Sequence, residues 1–168
     1  MREELIRVLR ELDVVYREPV KGVSGKHLDY YVDIKKAYGN PRALHLISEL
    51  IWGMLDKSTT CIAAMGYGGL SPPSVISAKY GLHLVMVRDS PKQHGRGGFI
   101  DGYVPALGDS VVIFDDVFTT GGSLKKVLGV IGQTEAKILG SYVVVKRGEG
   151  NVDVPLRWLL TAGDLLSE

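Results

Sequence analysis

Apolar residues recur along this chain in two rhythms. Leu5, Ile6, Val8, Leu9 and Leu12 return at helical spacing, so the first dozen residues predict an amphipathic helix. "VVYREPVKGVSGKHLDYYVDI" mixes β-branched and aromatic residues with Gly, Pro and Ser punctuation, and predicts short strands and turns. "NPRALHLISELIWGML" is helical again, with Asn40 as N-cap and Pro41 at the first helical position. Beyond it the pattern alternates. "CIAAM", "LHLVMV", "SVVIF" and "KILGSYVVVK" read as buried strands. Between them "SPPSVISAKYG" reads as a helix that starts at Ser71-Pro72-Pro73 and stops at Gly81, and "GSLKKVLGVIGQ" as another. "PLRWLL" adds a last strand and "AGDLLSE" a terminal helical turn. Alternating apolar strands and helices predict an α/β fold with an open, mainly parallel sheet flanked by helices on both faces. The glycine-rich, basic segment between Arg88 and Ala106 breaks the alternation and is longer than an ordinary connection, which marks it as a functional loop.

Composition narrows the picture. At 168 residues the expectation is one domain over residues 1–168, with an N-terminal helix and hood over 1–40 and a core over 41–168. A formal net charge of +1 gives no global field for nucleic acid. The charged, amphipathic N-terminus lacks the apolar stretch of a secretory signal, and no apolar run reaches membrane-spanning length. A cytoplasmic protein without membrane or nucleic-acid partners is expected. The single Cys61, in an apolar run, reads as a buried core thiol. Trp52 and Trp158 read as core residues. His27, His45 and His83 lie apart from one another and from acids at ligand spacing, so no fixed zinc site is expected.

Candidate chemistry concentrates in "SVVIFDDVFTTGGS", Ser110 to Ser123. A buried strand runs into Asp115 and Asp116. At the carboxyl end of a strand in an open α/β sheet, such residues face the ligand crevice. Side chains alternate along an extended chain, so the two carboxylates point to opposite sides. They can still share one polar ligand such as a vicinal diol, or act through a bound metal. The following "TTGGS" leads into a helix, whose first N–H groups make an anion site. Gly121 and Gly122 admit close backbone approach, and Thr119, Thr120 and Ser123 add hydroxyls. A diol at one end and a phosphate at the other describe a ribose 5-phosphate. The alternative is a pair of solvated cap residues in an ordinary strand-to-helix turn. No Walker A pattern occurs.

The stretch "VVIFDDVFTTGGS" resembles the phosphoribosyl pyrophosphate (PRPP) signature of the type I phosphoribosyltransferases. Three more stretches resemble the orotate phosphoribosyltransferases among them: "SGKHLDYYVDIKK" the hood motif, "VRDSPKQHGRGG" the mobile catalytic loop, and "VVVKRGEG" the strand ending in Asp-Arg-x-Glu. The tail "VPLRWLLTAGDLL" is similar too, so the likeness spans nearly the whole chain. It implies transfer of the phosphoribosyl group from PRPP to orotate, giving orotidine 5′-monophosphate and pyrophosphate in pyrimidine (UMP) biosynthesis. It implies Mg²⁺ held mainly by PRPP and water, with no fixed metal site. It also implies a homodimer whose lid, residues 88–98, reaches the neighbouring site.

Carried over residue by residue, the resemblance makes Lys92, His94, Asp115 and Asp116 catalytic. PRPP binding falls to Arg88, Lys92, His94, Asp115, Asp116, Val117, Phe118, Thr119, Thr120, Gly121, Gly122 and Ser123. Orotate binding falls to Tyr30, Tyr31, Thr119 and Arg147. Read without it, Tyr30 and Tyr31 are strand residues packing a sheet face, Arg147 is a strand-end cation, and the 88–98 loop is either a lid over a polyanion or a solvated basic loop. Three positions depart from the family pattern: Asp89 and Gly68 stand where it carries Lys beside the pyrophosphate, and Lys146 where it carries Asp. Arg96 and Lys146 are candidates to compensate. Two other functions share the PRPP loop: a purine-base phosphoribosyltransferase, and a non-catalytic PRPP-binding regulator.

Overall fold

The structure is a computed structural model that describes residues 1–16, 20–21, 27–28, 30–91 and 98–166. Its centre is a six-stranded sheet ordered β10-β9-β8-β5-β6-β7: β10 (Leu156–Thr161), β9 (Lys137–Lys146), β8 (Ser110–Phe118), β5 (Cys61–Met65), β6 (His83–Val87) and β7 (Ile100–Gly102). The first five are parallel, and β7 runs antiparallel to β6 at one edge. Strand alternation sorts the core into two layers. Ile62, Ala64, Val112 and Phe114 face α1 (Arg2–Glu11), α3 (Pro41–Met54) and α4 (Gly66–Tyr80), through Leu5, Leu9, Ile47, Ile51 and Ile76. Cys61, Ala63, Val111 and Ile113 face α5 (Gly122–Ile131), through Leu124, Val127 and Ile131. The expected α/β class with a mainly parallel sheet is therefore met. Cys61 is fully buried, and burial pushes its thiol up to about 11.

Local signals acted as read at several ends. Asn40 caps α3, its Oδ1 accepting from the Ala43 N–H at 3.1 Å. Gly81 closes α4 in the left-handed region, at φ 75°. The hood is a set of two-residue strands: β1 (Val15–Tyr16) pairs antiparallel with β4 (Tyr31–Val32), and β2 (Val20–Lys21) with β3 (His27–Leu28). The chain's two ends meet where Arg2 of α1 pairs with Asp164 of α6 (Ala162–Leu166) at 2.9 Å.

Four expectations need correction, and one element was not predicted. α4 begins at Gly66, directly after β5, and not at Ser71-Pro72-Pro73. Gly66 turns the chain at φ 69°, and both prolines lie buried inside the helix. Their missing N–H groups are flanked by hydroxyl bonds from Ser71 to the Tyr67 carbonyl and from Ser74 to the Leu70 carbonyl. β8 does not end at Phe114 but runs through both aspartates to Phe118, because β9 continues to pair with it there. A short helix, α2 (Ile34–Tyr38), follows the hood in a stretch for which the pattern predicted no element. The long connection after Arg88 contains β7, an edge strand that the glycine-rich pattern hid. Trp158 is 40% exposed rather than core, and lies under the Lys146 ammonium at 4.9 Å. Among the described residues no helix is long and apolar enough to cross a membrane.

Candidate functional site

The order of the strands fixes where a ligand can sit. β5 leads through α4 to β6 on one side, and β8 leads through α5 to β9 on the other. The crevice between the carboxyl ends of β5 and β8 is thus the switch point of the sheet, the usual ligand position in open α/β folds. β8 pairs with β5 only as far as Phe114, then outruns it by four residues. The first two of these are Asp115 and Asp116.

Alternation slips by one here. Val112 and Phe114 pack in one layer and Val111 and Ile113 in the other, yet past the aspartates Val117 joins the first and Phe118 the second. The backbone is held by the carboxylates themselves: the Asp116 N–H donates to Asp115 Oδ1 at 2.9 Å, and the Val117 N–H to Asp116 Oδ1 at 2.8 Å. The two acids part to opposite layers, as strand alternation predicts: Asp115 turns toward Ser123 of α5 and Asp116 toward Gly68 of α4. Burial first, then the Asp116 charge, lifts the Asp115 carboxyl to about 7, against the pull of the Asp116 backbone and the Ser123 hydroxyl.

Next along the chain, Gly121 takes φ 82° and opens the N-terminus of α5 with no side-chain cap. A Cβ there would meet the Phe118 ring at 2.9 Å and the Asn151 carbonyl at 3.1 Å. The result is an open pocket of about 310 Å³, lined by Asp115, Val117, Phe118, Thr119, Thr120, Gly121, Gly122, Ser123 and Lys126. All of these except Lys126 were expected from sequence. Free N–H groups, hydroxyls and an ammonium around one concavity suit a phosphate. The turn rests on the segment after β9. Phe118's carbonyl accepts from the Arg147 and Gly148 N–H groups at 2.9 and 3.1 Å, and Thr119's from the Gly150 N–H at 3.2 Å. Cβ atoms at Gly148 and Gly150 would lie 2.2 Å from the Thr119 carbonyl oxygen and 2.6 Å from the Thr120 carbonyl, so the two main chains touch.

The residues expected to hold a planar base also converge. Arg147 stacks over the Tyr30 ring at 4.8 Å and donates from Nη2 to the Tyr30 carbonyl at 2.5 Å. Tyr31 points elsewhere, toward Tyr16, ring centroids 6.4 Å apart. Lys146 turns to Trp158 and to Glu149, 3.3 Å away, so it does not share Arg147's position.

Asp116 faces a second wall. Lys35 of α2 reaches its Oδ2 at 3.2 Å, with Asp33 Oδ1 at 3.8 Å. Burial opposes the Lys35 charge, but Asp116, Tyr31 and Asp33 outweigh it and raise the ammonium's pKa. At the root of the 88–98 segment, the Arg88 N–H bonds the Phe99 carbonyl at 2.8 Å and its guanidinium pairs with Asp101 at 2.9 Å. Asp89 pairs with Lys126 at 2.6 Å, tying that root to α5. Lys92, His94 and Arg96 lie outside the described residues. Sequence reading missed Lys35, Lys126, Gly148 and Gly150. Lys35 had one signal, its place four residues after the Tyr-Tyr pair within the hood motif, but a lysine in a Lys-Lys pair reads as solvated.

Comparison with known proteins agrees with this geometry. The family described as "Phosphoribosyl transferase domain" matches residues 34–155. The chain is 37% identical to the orotate phosphoribosyltransferase of Methanothermobacter thermautotrophicus, over 99% of this chain and 92% of that protein. In structure it is similar to the orotate phosphoribosyltransferase of Aeropyrum pernix, with TM-score 0.83, 25% identity and 96% of both chains covered. It is also similar to that of Mycobacterium tuberculosis H37Rv, with TM-score 0.81, 27% identity and 99% of both chains covered. With the acid pair, the phosphate-shaped turn and the Tyr30–Arg147 platform on one sheet edge, the chain belongs to the phosphoribosyltransferase family and, within it, to the orotate phosphoribosyltransferases.

Proposed function

We propose that the chain transfers the 5-phosphoribosyl group of PRPP to orotate, releasing pyrophosphate and forming orotidine 5′-monophosphate. The observation that carries this reading is a juxtaposition. Arg147 and Tyr30, 117 positions apart in sequence, are stacked together, and Arg147's own N–H is bonded to Phe118 in the acid-and-phosphate turn. One edge therefore offers an anion-and-ring platform, a diol site and a phosphate site in sequence, the three parts of the product nucleotide.

As the bond from C1′ to pyrophosphate lengthens, positive charge develops on the ribose, and the protein's task is to position the reactants and offset the leaving group's charge. Asp115 and Asp116 hold the ribose 2′ and 3′ hydroxyls. Thr119 to Ser123 and the α5 N-terminus hold the 5′-phosphate. Tyr30 stacks on the pyrimidine, and the free donors of Arg147 take the orotate carboxylate in a fork. Arg88, Lys92 and His94 close on pyrophosphate as the lid folds over, and in a homodimer the lid serves the neighbouring site. The donor set fits Mg²⁺: the hard carboxylate oxygens of Asp115 and Asp116 stand beside the phosphate pocket, and no cluster of three or more acids, histidines or cysteines forms a metal site among the described residues, so the ion's ligands would come mainly from PRPP and water. When bound, it would neutralise part of the pyrophosphate charge.

Turnover measured in parallel with orotate, uracil, adenine and hypoxanthine tests the reading. Orotate is the expected substrate. Arg147→Ala should lower kcat/KM for orotate by roughly 30-fold to several-thousand-fold, the equivalent of ~2–5 kcal/mol for a closed site with its carboxylate unpaired, and leave PRPP binding nearly intact. A preference for a purine, or an unchanged orotate kcat/KM in Arg147→Ala, would place the base pocket elsewhere.

A further inference from the structure

The cation at the acid pair comes from an unexpected element. Gly68, in the first turn of α4, stands where the family resemblance leads one to expect Lys, and the structure shows what fills the space. A Cβ at position 68 would lie 2.3 Å from Asp116 Oδ2. The same oxygen is 3.2 Å from Lys35 Nζ. Asp116's carboxylate thus lies over the bare backbone of Gly68, with an ammonium on its far side. The Asp116 side chain is only 13% exposed, whereas Lys35 is 46% exposed and keeps access to the crevice. Tyr38, one turn further along α2, has a buried hydroxyl with no hydrogen-bond partner among the described residues, within reach of the charges of both acids.

We propose that Lys35 is a positioning residue for PRPP: it holds Asp116 over Gly68 in the orientation that receives the ribose diol, and it supplies beside the leaving pyrophosphate the positive charge that position 68 lacks. This rests on the reading of the crevice as a PRPP site. It explains the glycine by necessity rather than by drift. With Asp116 pulled toward α2, a side chain at 68 has no room. Lys35 and Gly68 form a matched pair, and each is expected to matter only while the other is present.

The test uses the full chain with Mg²⁺ and measures PRPP binding by calorimetry and steady-state kinetics with PRPP and orotate varied separately. Lys35→Met should weaken PRPP binding and kcat/KM for PRPP by roughly 10- to 100-fold, the range of one lost charge-assisted contact, with the orotate KM changed less than about twofold. Lys35→Arg, which keeps the charge, should recover most of the loss. Gly68→Ala should produce a similar defect by displacing Asp116. The double variant should be no worse than the worse single, because both act through one carboxylate. Unchanged PRPP affinity in Lys35→Met, no recovery in Lys35→Arg, or losses that multiply in the double variant would each overturn the proposal while leaving the PRPP site in place. A parent chain that fails to bind PRPP would overturn the site reading and this inference together.

Discussion

Two glycine-rich turns leave the same edge of the sheet, and they use glycine for different ends. From the end of β5, "MGYGG" enters α4 with no acid and no cation; from the end of β8, "DDVFTTGGS" enters α5 with both acids, three hydroxyls and an open helix end. Gly66 and Gly121 both adopt positive φ, 69° and 82°. A Cβ on Gly66 would meet nothing within 4 Å, whereas one on Gly121 would press on Phe118 and Asn151. Gly68, with ordinary backbone angles, is needed for the space that Asp116 fills. The first turn makes room, and the second presents donors. A glycine motif alone therefore says little about a phosphate site; the groups brought against it decide.

Removing the acids should break this contrast most strongly. Asp115→Asn with Asp116→Asn is expected to lose PRPP affinity by at least about 100-fold while the fold persists, since two charge-assisted contacts to the diol disappear. Calorimetry with PRPP and circular dichroism check both halves. Retained binding would show that the β8 turn is not the ligand's seat.

The two positive-φ glycines sharpen it next. Gly66→Ala should cost only the conformational strain, about 1–2 kcal/mol, and spare PRPP affinity. Gly121→Ala adds a clash with a buried ring and a carbonyl, so roughly 2–4 kcal/mol and a clear loss of phosphate binding are expected. Denaturant unfolding beside PRPP titration separates the pair. Equal effects on both measures would mean the turns are equivalent.

The smallest effect is a pH dependence that only the β8 turn should show. Asp115 keeps its proton to about pH 7 when folded, against 3.8 for an ordinary aspartate. Between these values the folded chain holds a proton the unfolded chain has released, so this group's contribution to stability falls as pH rises through the window and is most unfavourable above it. Asp115→Asn removes the cost. It should gain roughly 1–3 kcal/mol over the parent at pH 8, or about 3–8 °C in Tm, and almost nothing at pH 4. A gain independent of pH would assign it to packing instead.

How much of this was legible from sequence follows from what each feature depends on. The sheet, its parallel sense and the open turn into α5 were readable because local patterns determine them: apolar runs of strand length, Asn40 and Gly81 as caps, and Thr-Gly-Gly after two acids. The likeness to orotate phosphoribosyltransferases was carried by the same contiguous stretches. What escaped depends on long-range contact. The start of α4 was misplaced because Pro72 and Pro73 mimic a helix start, while the turn is made by Gly66. Trp158 looked like core, since a sequence cannot show that its strand ends the sheet order beside Lys146. Lys35 and Asp116 lie 81 positions apart, and no spacing rule joins them. The carboxylates do lie on the opposite sides that alternation predicts; what each meets there, Ser123 for Asp115 and Lys35 with Gly68 for Asp116, was not legible.

Gly148 and Gly150 carry no chemistry of their own, yet they press main chain against main chain on Thr119 and Thr120. That contact acts as a gauge. Arg147 and the Thr-Gly turn are joined by main-chain hydrogen bonds that no rotamer change can relax, so on the proposed reading the span between base and phosphate is set by the packing of two backbones. Variation in the surrounding side chains can retune which base is held, but a longer or shorter sugar-phosphate would require the two backbones to part. In a saturation library these two positions would therefore be among the most intolerant in the molecule, though neither has a side chain to offer a ligand.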